Sequence, residues 1–187
     1  MKKMMLMCAA LLALTASSQA VKLGADTQAL DLSGGIEFES AAGVNYHLRT
    51  GYGYFILDYL EVGGLLDLQR NDFGTSIGLG PKVEYNFELD LPVVVPFVGA
   101  ALTFQHVEMP TATYSVSADN QVVRTTETDT TNALNLDVYG GLKFFITDQF
   151  AINADLVLSA ATSDIYLRRD EAGKTQVRLE LGLRYYF

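Results

Sequence analysis

The sequence is poor in three chemistries. Of 187 residues one is cysteine, two are histidine and none is tryptophan. The single thiol, Cys8, lies in the first apolar run, so the rest of the chain has no disulfide, no thiolate nucleophile and no cysteine metal site. Basic side chains are outnumbered, 13 Lys and Arg against 22 Asp and Glu, for a net charge of −9. Nucleic-acid phosphates need clustered Lys and Arg, which excludes nucleic acid as a partner. Long apolar runs are missing as well once the first 20 residues are set aside. The longest, Leu91 to Leu102, contains Pro92 and Pro96 and falls short of the roughly 18 residues that a membrane-spanning helix requires.

Those first 20 residues have the form of a secretory signal. Lys2 and Lys3 supply a basic start, Met4 to Leu14 an unbroken apolar run, and Ser18-Gln19-Ala20 a small-residue cleavage site. Val21 is therefore the expected first residue of the mature chain. Met7 precedes Cys8 where a lipoprotein signal wants a small residue, so lipidation is not expected. Without Lys2 and Lys3 the net charge becomes −11. Residues 21–187 have the length of one domain.

What the chain has in abundance is alternation. Near the C-terminus Val177, Leu179, Leu181, Leu183, Tyr185 and Phe187 share one face, and Gln176, Arg178, Glu180, Gly182, Arg184 and Tyr186 the other. Tyr46, Leu48, Thr50, Tyr52 and Tyr54 alternate with Asn45, His47, Arg49, Gly51 and Gly53, and Ile77 to Phe87 do so with Gly78, Gly80, Lys82, Glu84 and Asn86. Five weaker segments follow the same rule. They are Leu30 to Phe38 over Asp31, Ser33 and Glu37; Leu60 to Leu68 over Glu61, Gly63 and Asp67; and Val98 to Phe104. The last two are Leu134 to Phe144 over Asn135, Asp137, Tyr139 and Lys143, and Phe150 to Leu158 over Asn153, Asp155 and Ser159. A period of two over about ten residues is a strand with one apolar and one polar face. Eight such strands, joined by alternating short and long connections, predict a closed, all-β, antiparallel up-and-down barrel. Leu57 to Tyr59, Glu88 to Pro92 and Thr147 to Gln149 are the short connections. Arg70 to Thr75, Val107 to Asn132 and Ala161 to Lys174 are expected to be longer, and Ser40 to Gly43 is the one short connection at their end.

Two barrels share this pattern, a soluble one with apolar residues inside and a membrane one with apolar residues outside. The polar face decides between them, because Gly51, Gly53, Gly63, Gly78, Gly80 and Gly141 are interleaved with its charges. A narrow lumen needs such small residues, whereas a solvent face does not. On the apolar face Tyr54, Tyr85, Phe87, Phe144, Phe150, Tyr185 and Phe187 gather beside the short turns, as a girdle at one bilayer interface. Phe38, Tyr46 and Phe104 mark the other. The barrel is thus expected to be transmembrane, and closed because lipid offers no hydrogen-bond partner to an open edge.

On these segments, and most specifically on Leu181, Leu183, Tyr185 and Phe187, the chain resembles the small eight-stranded outer-membrane barrels, the family of OmpX and the membrane domain of OmpA. The resemblance implies a cell outer-membrane location with both termini periplasmic. It also implies neighbouring lipids and lipopolysaccharide, and a C-terminal signal read by the outer-membrane assembly machinery during biogenesis.

Ionised groups in so narrow a lumen must pair. Glu37, Arg49, Arg178 and Glu180, a second set of Lys82, Glu84, Glu61, Lys143 and Asp155 lower down, and Asp67 and Asp137 on the same face are expected to form a polar network that plugs the bore; an ion or small-solute path along them is the alternative. A lipid A-modifying enzyme would need a base beside a nucleophile. No Ser stands two residues after His47 or His106, so no catalytic residue and no cofactor are expected. Asp119, Asp129, Asp170 and Glu171 are at most weak cation ligands. The segment from 107 to 132 is the distinctive one. Thr113-Tyr114-Ser115-Val116 and Val122-Val123-Arg124-Thr125 flank a turn at Asp119-Asn120, predicting a protruding hairpin and a candidate extracellular ligand site. A second hairpin is expected from Ile165 to Val177 around Asp170 to Gly173. The overall expectation is a monomeric structural or adhesin-like surface protein.

Overall fold

The computed structural model describes residues 23–37, 45–71, 74–89, 91, 93–116, 122–167 and 172–187. The side chains of 35–37, 45, 71, 110–127, 167 and 172 are not described. The expected signal at 1–20, Phe38, the connection at 40–43, and Asp119, Asn120, Asp170 and Glu171 lie outside the described residues.

Alternation sets the strands, and pairing closes them. They are β1 (Gln28–Glu37), β2 (Asn45–Leu57), β3 (Leu60–Asn71), β4 (Gly74–Asn86), β5 (Val94–Val116), β6 (Val122–Thr147) and β7 (Phe150–Ala161). The short β8 (Tyr166–Leu167) and β9 (Ala172–Gly173) pair with each other, and β10 (Thr175–Tyr186) is the last. The eight long strands form one closed antiparallel barrel in which β10 lies between β7 and β1. Closure joins the chain's two ends, from Gln28 beside Phe187 to Gly34 beside Leu181. Leu30, Leu32, Leu102, Phe104, Val138, Leu156 and Leu181 point outward and are exposed, while Arg49, Glu61, Lys82, Glu84, Asp137 and Lys143 are buried within. The phase expected for β5 is the observed one, with Phe97, Ala101, Thr103 and Gln105 inside.

The turn-end girdle is ordered by local pairing. Tyr85 packs edge-on against Phe87 at 5.1 Å, and Tyr185 stacks on Phe187 at 5.8 Å. The repeated motif Phe55-Ile56-Leu57-Asp58 and Phe145-Ile146-Thr147-Asp148 has a structural meaning, because the register shifts at the same place in both copies. Each bulge lets two successive residues face outward while its Phe turns in. Phe55 and Phe145 then meet Leu23, Ala29, Val95, Ala151 and Tyr186 in an apolar floor at the turn end. Leu23 is held there by its carbonyl, which accepts from the Tyr59 N–H at 2.9 Å.

Two connections differ from expectation. The segment from Arg70 to Thr75 is not a long loop; β3 and β4 pair as far as Asn71 and Gly74, leaving only residues 72 and 73 between them. Backbone pairing needs no apolar side chain, so the ladder runs past the apolar belt through polar residues. The return arm of the second hairpin is Ala172–Gly173. Thr175, Gln176 and Val177 already belong to β10, opposite Ala160, Ser159 and Leu158. On the other arm Tyr166 folds inward, is buried and donates its hydroxyl to Asn135 Oδ1 at 2.8 Å.

A lumen this tight leaves no room for side chains at certain places. A Cβ on Gly53 would overlap the Glu61 carboxylate, and one on Gly99 would overlap the buried ring of Tyr139. Gly99→Val is therefore expected to destabilise the barrel by about 1–3 kcal/mol through overpacking. Equilibrium urea unfolding in vesicles checks this, and Tyr139→Leu in the same chain should recover most of the loss.

Candidate functional site

Two ionic clusters occupy the bore. In the lower one Arg184 on β10 reaches across to β4 and makes a two-pronged pair with Glu84, both contacts at 2.7 Å. The same guanidinium lies 3.2 Å from Asp31 and 3.5 Å from Glu61. Lys82 pairs with Glu61 at 2.7 Å and with Asp31, and Lys143 with Glu84 at 2.5 Å. Three cations face three carboxylates. The Phe97 ring receives Lys143 Nζ at 4.9 Å and Arg184 Cζ at 5.0 Å from its centroid, which supplies cation–π contact where water is excluded.

In the upper cluster Arg49 joins Asp137 at 2.5 Å, Asp67 at 3.1 Å and Glu180 at 3.5 Å. Arg178 joins Glu180 at 2.5 Å and Asp137 at 3.3 Å, and donates to Ser159 Oγ at 2.6 Å. His47 stands between two acceptors, with Nε2 at 3.0 Å from Asp67 and Nδ1 at 3.4 Å from Glu180.

Little space remains. A cavity of about 30 Å³ lies between the clusters, bordered by Asp31, Arg49, Lys82, Asp155, Glu180 and Arg184. Another of about 10 Å³ lies above, beneath Tyr166 and Gln176. Such volumes hold a water or two and no hydrated ion. The apolar floor lies at the turn end, and Tyr166 borders the upper cavity at the other.

Of the residues singled out on sequence, Arg49, Asp67, Asp137, Arg178 and Glu180 meet in the upper cluster, and Lys82, Glu84, Glu61 and Lys143 in the lower. Asp155 does not join the lower set; it accepts from Asn153 Nδ2 at 2.5 Å and has no cation partner among the described residues. The side chain of Glu37 lies outside the description, though its backbone pairs with Asn45. Leu181, Leu183, Tyr185 and Phe187 lie on the outward face. Sequence reasoning overlooked Asp31 and Arg184 as network members, although both stand on polar faces, and the burial of Tyr166.

His106 is exposed at the loop end, with Nδ1 at 2.8 Å from Asn132 Oδ1 and Nε2 at 3.6 Å from Glu108. Neither is a nucleophile. No group of His, Cys, Asp and Glu among the described residues is arranged to hold a metal.

β5 and β6 continue beyond the wall as a ribbon. β4 leaves β5 at Glu108, and β7 leaves β6 at Asn135. Their mutual ladder runs on to Val116 opposite Val122, with Tyr114 opposite Arg124. Past the wall, neither outer edge of the ribbon is in a strand ladder among the described residues.

Residues 4–187 match the family described as outer membrane protein beta-barrel domain. The chain belongs to that family. This outer-membrane barrel is similar in fold to the N-terminal β-barrel domain of Pseudomonas aeruginosa OprF, with TM-score 0.56 and 18% identity, covering 88% of this chain and 99% of that one. It is likewise similar to Neisserial surface protein A (NspA), with TM-score 0.53 and 16% identity, covering 86% and 95%. No curated protein matches the sequence. The outer-membrane barrel family accounts for the outward apolar face and places the chain in a lipid environment.

Proposed function

We propose that this outer-membrane barrel is a non-enzymatic, non-conducting scaffold whose working part is the β5–β6 ribbon, displayed outside the cell as an adhesin-like interaction module. The observation that carries the reading is the ribbon itself. From Met109 to Val116 it extends eight residues beyond the last barrel pair, about 26 Å at strand rise. Its outer edges, in no strand ladder among the described residues, present backbone donors and acceptors to an incoming strand. Short turns at one end and a long hairpin at the other correspond to periplasmic and extracellular ends in such barrels. Both chain termini then face the periplasm, the C-terminal Leu181, Leu183, Tyr185 and Phe187 serve assembly, and the closed ladder suits a monomer.

Deleting residues 113–126 tests the reading. The shortened protein should keep the heat-dependent gel migration of a folded barrel, while cells displaying it lose attachment to protein-coated surfaces that the intact protein supports. Attachment that survives the deletion refutes the ribbon's role. A non-conducting bore should give no discrete current steps in planar bilayers; steps that change on replacing Arg49 or Lys82 would establish a channel instead.

A further inference from the structure

The outward face of the barrel wall carries one residue at odds with lipid. Arg70 ends the outward series of β3 after Leu66 and Leu68, and it is the one permanent cation among the described outward side chains of the barrel strands. Its strand neighbours are Tyr46 on β2 and Thr75 on β4. A guanidinium, a phenol and a hydroxyl therefore meet at the loop-end margin of the apolar belt, all three of them donors to an anion.

A groove of about 760 Å³ leads away from this point along the wall, well within the size range of small-molecule sites. Leu48 and Leu68 line it below Arg70, and Leu32, Leu181, Leu183 and Ile152 continue it across β1, β10 and β7. Its origin is local. β1 pairs with β2 up to Glu37, and β10 pairs with β7 up to Thr175, but the described β1–β10 ladder ends at Gly34 and Leu181. Val177 and Leu179 beside the gap are 62% and 70% exposed.

We propose that this groove is a binding site for one lipopolysaccharide molecule of the outer leaflet, with an acyl chain along Leu48, Leu68 and Leu181 and a phosphate on Arg70, Tyr46 and Thr75. Charge complementarity selects the occupant. Among the described outward side chains of the barrel strands Arg70 is the one permanent cation, and it lies at the end carrying the long hairpin, which the orientation proposed above places in the outer leaflet. Arginine matches phosphate geometry with paired donors. The site rests on the orientation proposed above and not on any role of the ribbon in attachment.

The test uses the full barrel in phosphatidylethanolamine nanodiscs doped with lipopolysaccharide, with lipid retained per barrel read by native mass spectrometry. One lipopolysaccharide should stay bound. Arg70→Gln should weaken retention about fivefold, as removal of one interfacial cation implies, Arg70→Lys should restore most of it, and Arg70→Glu should weaken it further. Lipopolysaccharide stripped of its phosphates should bind the unaltered protein about as poorly as the intact lipid binds Arg70→Gln. That arm stands even if a variant fails to fold, which unboiled gel migration reveals. Equal retention by Arg70→Gln, undiminished binding of the dephosphorylated lipid, or equal retention of phosphatidylglycerol would each overturn the proposal.

Discussion

Replacing Arg184 with Met is expected to destabilise the folded barrel by about 3–5 kcal/mol, the usual cost of removing one partner from a buried ion pair. The methionine fills similar volume, so the loss is electrostatic. Glu84 would lose both prongs of its pair, and Asp31 and Glu61 would keep Lys82 alone. None of the three carboxylates can turn to bulk water from inside the bore. Urea unfolding in vesicles measures the cost. Adding Asp31→Asn to the same chain should return a substantial part of it, because the excess carboxylate is then gone while Glu61 keeps Lys82 and Glu84 keeps Lys143. Strict additivity of the two substitutions would show that the pair is not coupled.

Val138→Arg is expected to cost about 2–4 kcal/mol in the same assay, the penalty for a cation facing lipid at the bilayer midplane. Val138 is outward and half exposed, and it stands midway between Phe144 of the turn-end girdle and Leu134, whose partner Phe104 belongs to the loop-end set. Val138→Leu should be close to neutral. The sign of the arginine effect separates the two possible orientations of the sheet, because on a water-facing surface the same substitution would be harmless. A smaller penalty for arginine at Leu134, nearer the interface, would follow from the same depth dependence.

The strands were legible because alternation is a local property. Val177 to Phe187 states its inward and outward sets without reference to any other segment, and even β5, apolar on both faces, was placed correctly by the position of Gln105. The network was legible only as a need. That Arg184 meets Glu84, and not a closer carboxylate in sequence, depends on barrel shear and on which strands face each other across the bore, and neither is written in a single strand. Asp31 was overlooked for the same reason, since its partners Lys82 and Arg184 lie on β4 and β10. Tyr166 was legible as part of a hairpin arm, whereas its burial was not, because that depends on an acceptor, Asn135, on another strand. The ribbon was legible in its β-rich arms, whereas the short link between β3 and β4 was hidden by the polarity of the residues that extend them.

The hydrogen bonds between Gln28 and Phe187 tie the first strand to the final residue of the chain. A polypeptide delivered from its N-terminus must therefore hold β1 unmatched on one side until everything else has been made. Partial sheets of four or six strands would present two bare edges to hydrocarbon, each lost pairing costing several kcal/mol, so no stepwise insertion of hairpins is energetically accessible without a shielded intermediate. The order of synthesis and the order of closure are opposed, because β1 stays unmatched on one side until β10 is available to pair with it.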